Sequence, residues 1–197
     1  MKKAKSPILR QFGIDVDILY ETEETPVIQD TKNTSNVLCA KPIIFFCDGS
    51  AINNGSPKCK AGYAAVFPNH PHLTISGKLE NRNYIPTNNR AEYMAFIKGM
   101  GQVDREDPKY ERLVEVYTDS KLLMKTINEW LKLWKLKGWK KMDGNEIMNL
   151  DLVKEIDELT TKRKVICRHV KAHTGKKDWE SIWNAKADEL AQEVTKS

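Results

Sequence analysis

Between Lys41 and Leu79 the chain offers three strand-like runs and no helix, and only afterwards do helical and strand-like segments alternate. The runs 43–47 (IIFFC), 62–68 (GYAAVFP) and 73–79 (LTISGKL) are rich in β-branched and aromatic residues and are separated by turn residues. Two further strands are expected at 113–118 (LVEVYT) and 164–170 (KVICRHV). The first helix spans 89–101, opened by Asn88 and Asn89 with Glu92 at capping-box spacing, and turns Ala91, Met94 and Ala95 inward. A second begins at Asp119-Ser120 and places Leu123, Ile127, Trp130 and Leu131 on one stripe. A third covers 146–160 and a last 179–195. Three strands before any helix make an antiparallel meander, and later strands reached through helices join it in parallel. The expected class is therefore α/β, a five-stranded mixed sheet flanked by helices.

The chain has 197 residues, 40% of them hydrophobic, which suits one core and a tail better than two domains. Residues 1–40 mix Lys and Arg with acids in the aperiodic stretch ETEETPVIQDTKNTSN and are read as an N-terminal extension, with one domain over 41–197. Cys39, Cys47, Cys59 and Cys167 form no C-x-x-C pair, so they are expected as free thiols in a reducing compartment. No 18-residue apolar run and no signal-peptide core occur, which predicts an intracellular protein, cytoplasmic or nuclear, without membrane contact. No coiled-coil seam is present, and a monomer is expected. The net charge of +5 says less than its distribution: WLKLWKLKGWKK (130–141) packs five lysines and three tryptophans into twelve residues without an acid. Lysines snorkelling over buried indoles would give the same composition, but so many like charges favour phosphate binding.

Four acids stand where the expected topology can gather them. Asp48 ends the first strand, Glu92 lies in the first turn of the first helix, Asp119 follows the fourth strand, and Asp188 is on the last helix. Each alone has an ordinary explanation as a turn, a cap or a solvated face. Together at one sheet edge they would repel unless cations sat between them.

The segments FFCDGSAINNG, TNNRAEYMA, VYTDSKLL, VKAHTG and NAKADELA, in that order, resemble the signature blocks of the type 1 ribonuclease H family. The resemblance spans about 43–195 and implies a ribonuclease H-like fold and an endonuclease cutting the RNA strand of RNA–DNA hybrids. It implies that Asp48, Glu92, Asp119 and Asp188 bind two Mg²⁺ ions, with Mn²⁺ a substitute, as oxygen-only donors suit. It also implies that His173 is a mobile catalytic histidine; fifteen residues separate it from Asp188, about five more than is common in the family, the extra length lying in KKDWESIW. The lysine-rich segment resembles the family's basic protrusion, so Lys132, Lys135, Lys137, Lys140 and Lys141 would meet phosphates while Trp130 and Trp139 pack on sugars. Asn54, Asn88 and Asn89 match positions touching the hybrid near the cut, and Thr87 matches part of a DNA-phosphate pocket. Two residues before that threonine, where some relatives have Arg, this chain has Ile85. An integrase-like nuclease acting on DNA and a non-catalytic hybrid-binding protein are the alternative readings.

Overall fold

The computed structural model describes residues 41–80, 84–172 and 174–197. The expected extension over 1–40, with Cys39, lies outside the described residues, as does His173. Five strands form one sheet: β1 Ile43–Ile52, β2 Lys60–Val66, β3 Ile75–Lys78, β4 Val114–Thr118 and β5 Val165–His169. Their order across the sheet is β3-β2-β1-β4-β5, antiparallel through the first three and parallel from β1 to β4 to β5. The mixed topology expected from strand order is thus the one adopted.

Strand β1 is central because its apolar run serves two faces. Ile43, Phe45 and Cys47 enter the larger core under helix α1 (Asn88–Glu106), where Phe45 stacks on Phe67 at 5.1 Å and tilts against Phe96 at 6.3 Å. Phe46 enters a smaller cluster with Val66, Tyr117, Val170 and Ala187 under helix α4 (Trp179–Lys196). An uninterrupted apolar run, rather than an alternating one, is what a strand covered on both faces requires. Between them lie α2 and α3. Helix α2 is assembled from Lys121–Lys125, a π-helical stretch Thr126–Trp130 and Leu131–Leu136; α3 is Leu150–Lys162.

The structure corrects several expected boundaries. Strand β1 does not stop at Asp48 but continues to Ile52, since residues 46–52 keep pairing with β2 after pairing with β4 has ended at Phe46 and Tyr117. Asp48 is therefore a mid-strand residue with a neighbour strand on one side only. The segment 73–79 gives its start to a short 3₁₀ turn, Pro71–Leu73, and only Ile75–Lys78 pairs as strand. The cap of α1 is not the Asn pair with a Glu92 capping box: the Thr87 hydroxyl accepts the Arg90 N–H at 3.2 Å. The third helix begins four residues later than its expected start, because a bridge between Lys140 and Glu146 and a left-handed Asn149 (φ 57°) occupy the approach to it.

Cys47, Cys59 and Cys167 are buried, unpaired thiols. Burial pushes the Cys167 thiol up to about 12 and raises Cys47 as well, so neither is a nucleophile at neutral pH. Among the described residues no helix is long and apolar enough to cross a membrane.

Candidate active site

Asp48 reaches the site from the middle of β1, Glu92 from the second turn of α1, and Asp119 from the residue after β4. Each of the three offers an oxygen, and these oxygens lie within 4.8 Å of one another. Local chemistry fixes the approach of each chain segment. After β4 the Thr118 hydroxyl accepts the Ser120 N–H at 3.0 Å, and the Ser120 hydroxyl caps α2 by accepting the Leu123 N–H at 3.2 Å. Asp119 is left between these two turns with its carboxylate available.

Gly49 sets the distance between Asp48 and Glu92. A Cβ at this position would stand 2.4 Å from the Glu92 backbone nitrogen and 2.8 Å from the Ala91 side chain, so only glycine lets the start of α1 cross β1 this closely. The reason for Gly49 is this crossing, not a tight turn, since residue 49 is paired in the strand with Tyr63. Gly49→Ala is expected to destabilise the protein by about 1–3 kcal/mol, the usual range for overpacking, and to lower divalent-cation affinity by spreading the two acids. Denaturant unfolding and a cation titration measure the two effects.

Electrostatics mark these carboxylates off from ordinary surface acids. Burial first, then the charges of Asp119 and Asp188, push Asp48 up to about 8, against a single favourable bond from the Gly49 N–H at 2.7 Å. Glu92 is raised well above the usual carboxylate range by burial and by Asp48 and Asp119. Its Oε2 is buried and has no hydrogen-bond partner among the described residues. A buried carboxylate oxygen without a donor, beside two more carboxylates, is a costly arrangement unless a cation or protons occupy it. The donor set is all oxygen, with no thiolate or imidazole, which fits a hard divalent cation.

Asp188 is the outer member. It is half-buried on α4 and is not among the three oxygens that close within 4.8 Å, yet its charge helps raise Asp48. Two amides on the same helix attend Asp119 and Asp188. Asn184 donates from Nδ2 to Asp119 Oδ2 at 3.2 Å, and Gln192 donates from Nε2 to Asp188 Oδ1 at 2.8 Å. Asn184 and Gln192 each stand four residues from Asp188, and this helical spacing is the signal for them in the sequence.

The expected substrate contacts divide into two groups. Asn54, Thr87, Asn88 and Asn89 come together at the N-terminus of α1, where Asn54 Oδ1 accepts the Asn88 N–H at 3.1 Å and so ties the β1–β2 turn to the helix. Beneath them Arg90 holds Asp151 through two bonds of 3.0 and 2.6 Å and reaches Asn149 at 3.3 Å. Trp130, Lys132, Lys135, Lys137, Trp139, Lys140 and Lys141 lie at the end of α2 and the loop after it. Lys135 is ion-paired with Asp157 of α3 at 3.1 Å, whereas Lys132, Lys137, Lys140 and Lys141 have no ion pair among the described residues. The three indoles of this segment are half-buried: Trp134 and Trp139 pack against the core, and Trp130 stands 5.4 Å from Trp134.

The residues in KKDWESIW also acquire a place. Asp178 caps α4 by accepting the Ser181 N–H at 2.9 Å, so the helix already starts at Trp179. Trp179 packs edge-on against Phe46 at 5.1 Å and Tyr117 at 5.7 Å. Five of the eight residues of KKDWESIW, Trp179 to Trp183, are therefore helix, not loop.

A cup of carboxylates on a mixed α/β sheet, with oxygen as its only donor atom, defines the class of centre: an acidic one whose donors suit hard cations. Comparison supplies the family. The model of the RNase H family matches residues 40–196. A ribonuclease H of Francisella tularensis subsp. novicida is 44% identical over 152 residues, covering 77% of this chain and 90% of the relative. A ribonuclease H of Francisella philomiragia is 38% identical over the same coverage. The fold is shared with LC11-RNase H1, solved in complex with an RNA/DNA hybrid, at a TM-score of 0.54 and 24% identity over 78% of this chain and 96% of that one. The chain belongs to the ribonuclease H family.

Proposed function

We propose that the protein is an endoribonuclease that hydrolyses the RNA strand of RNA–DNA hybrids with two divalent cations, leaving 5′-phosphate and 3′-hydroxyl ends, and that residues 41–197 form its catalytic domain. The observation that carries this reading is the meeting of Asp48, Glu92 and Asp119 oxygens within 4.8 Å in a chain of this family. Relatives named ribonuclease H and a fold shared with an enzyme solved on a hybrid support it.

In this reading Asp48, Glu92, Asp119 and Asp188 hold Mg²⁺, with Mn²⁺ able to replace it. The bound cations supply positive charge, which eases deprotonation of an attacking water and stabilises the leaving 3′-oxygen. The protein's own part is to place the scissile phosphate. Asn54, Asn88 and Asn89 offer short amides beside the acids, suited to reading 2′-hydroxyls, which separate RNA from DNA. The Thr87 hydroxyl is engaged as a cap, so its role toward a DNA phosphate rests on the N-terminus of α1 that it organises. His173 is assigned proton transfer or product departure.

The lysine segment grips the DNA strand through Lys132, Lys137, Lys140 and Lys141, with Lys135 mainly tied to Asp157. Reversing Lys132, Lys137 and Lys140 to Glu is expected to weaken hybrid binding and flatten its log–log salt dependence by about one unit per lost phosphate contact. Lys135→Ala should leave that slope nearly unchanged. Binding titrations across salt concentrations give both numbers.

The function itself is tested by incubating the protein with matched RNA–DNA hybrid, RNA duplex and DNA duplex, each with Mg²⁺, Mn²⁺ or chelator. Cleavage confined to the RNA of the hybrid, and abolished by chelator, is expected. Cutting of DNA duplex, or cleavage undiminished in chelator, overturns the proposal.

A further inference from the structure

Three residues on one face of α4 form a hydrogen-bonded line running from the acidic cup to the helix end. Lys196 Nζ donates to Gln192 Oε1 at 3.4 Å, and Gln192 Nε2 donates to Asp188 Oδ1 at 2.8 Å. The spacing is i, i+4, i+8, so the line is continuous along the helix. Because a carboxylate only accepts, the bond from Nε2 settles which end of the amide faces Asp188.

Asp188 needs such a restraint. It is half-buried, it stands outside the tight group of Asp48, Glu92 and Asp119, and its position has two flanks. One faces the acidic cup. The other faces a cavity of about 160 Å³ whose lining includes Lys171, Thr174, Lys176 and Ser181 as well as Asp188 itself. The lysines of that lining carry the sign of charge that draws a carboxylate, whereas Asp48 and Asp188 repel each other, so a bond that fixes the carboxylate's direction favours the cup.

We infer that Gln192, steadied by Lys196, is a positioning residue that holds Asp188 toward the acidic cup and thereby sets cation affinity on the open side of the site. An amide suits this task better than a charged donor. Arg or Lys directly on Asp188 would make the same hydrogen bond but neutralise the charge a cation needs. Gln192 orients the carboxylate and leaves that charge intact. Outer-shell partners of this kind change metal affinity by roughly 10–100-fold when removed.

The inference rests on reading the acids as a cation centre, and the test separates the two. Mn²⁺ binding is measured by electron paramagnetic resonance on the full chain without nucleic acid, for wild type, Gln192→Met, Gln192→Arg, Asp188→Asn and the double variant Asp188→Asn with Gln192→Met. Gln192→Met keeps the length and loses the donor. It is expected to weaken Mn²⁺ binding about tenfold or more, to raise the Mg²⁺ concentration for half-maximal cleavage by a similar factor, and to leave the KM for hybrid unchanged. Gln192→Arg should weaken Mn²⁺ binding as well, by charge, and Gln192→Met should add nothing once Asp188 is already Asn. Thermal unfolding of the cation-free variants confirms that each is folded. If wild type binds Mn²⁺ and Gln192→Met binds it equally, or if the methionine costs as much in the Asp188→Asn background, the positioning role is refuted while the proposed function stands. If wild type binds no Mn²⁺, both fall.

Discussion

Asp48→Asn is expected to abolish cleavage of the hybrid while the protein stays folded and still binds it. The loss should reach roughly three orders of magnitude or more, the rate equivalent of the several kcal/mol that a correctly held metal charge supplies. Asparagine keeps the shape and one acceptor oxygen but removes the negative charge. The fold has no need of that charge, because among the described residues Asp48 has one side-chain hydrogen-bond partner, the N–H of its own neighbour Gly49, and is repelled by Asp119 and Asp188. The variant should therefore unfold at the same or a higher denaturant concentration than wild type when cations are absent. A residue kept for structure behaves in the opposite way, losing stability and activity together. Asp119→Asn should share the loss of cleavage, with a smaller gain in stability, since Asp119 is less buried and is already held by Asn184. Hydrolysis at the wild-type rate with Mg²⁺ in either variant would sink the assignment.

The contrast between what the sequence revealed and what it hid follows a physical line. The mixed sheet, antiparallel first and then parallel, and the meeting of Asp48, Glu92 and Asp119 were legible because they follow from residue type and from separation along the chain. The apolar run 43–47 announces a strand buried on both faces, and the acids stand beside the elements that converge. Where β1 ends was not legible. That depends on whether a neighbouring strand continues, and β2 does so for six residues past the last β1–β4 pair. The cap of α1 went to Thr87 rather than to the asparagines because cap choice turns on backbone angles that composition does not reveal. Likewise the role of Gly49 is a contact between a strand and a helix more than forty residues further on, and the tie of Lys135 to Asp157 joins two helices. Both are distances in space with no local pattern. Gln192 was hidden for another reason: glutamine is an ordinary residue on the solvent face of a helix, and its bond to Asp188 is what sets it apart.

Without divalent cations, the same carboxylates should make stability fall as pH rises. Asp48 has a folded-state pKa pushed up to about 8, against an ordinary carboxylate value near 4 in the unfolded chain. Between those values the folded protein holds a proton that the unfolded chain has released, so each step up in pH favours unfolding. The decline starts near pH 4, where the unfolded carboxyl ionises, and levels off above about pH 8, where the folded one does too. Glu92 shifts in the same direction and steepens the slope. At 1.36 kcal/mol for each unit of displaced pKa, the rise of Asp48 corresponds to an effect on the order of 5 to 6 kcal/mol across the window, to which Glu92 adds in the same sense. Asp151 acts in the opposite sense, because Arg90 lowers it, but its contribution is lost as pH falls below the ordinary carboxylate range and so does not enter this window. Chemical unfolding in chelator from pH 4.5 to 8.5 reads the slope, and Asp48→Asn should remove much of it. Adding Mg²⁺ at pH 8 should restore stability in wild type, since a ligand bound by the folded state alone stabilises it by mass action, and should do so far less in Asp48→Asn. A wild-type protein whose stability in chelator is flat or rising between pH 5 and 8 would mean that the carboxylates are not crowded together as the geometry places them. It would remove the electrostatic reason for a cation to bind there.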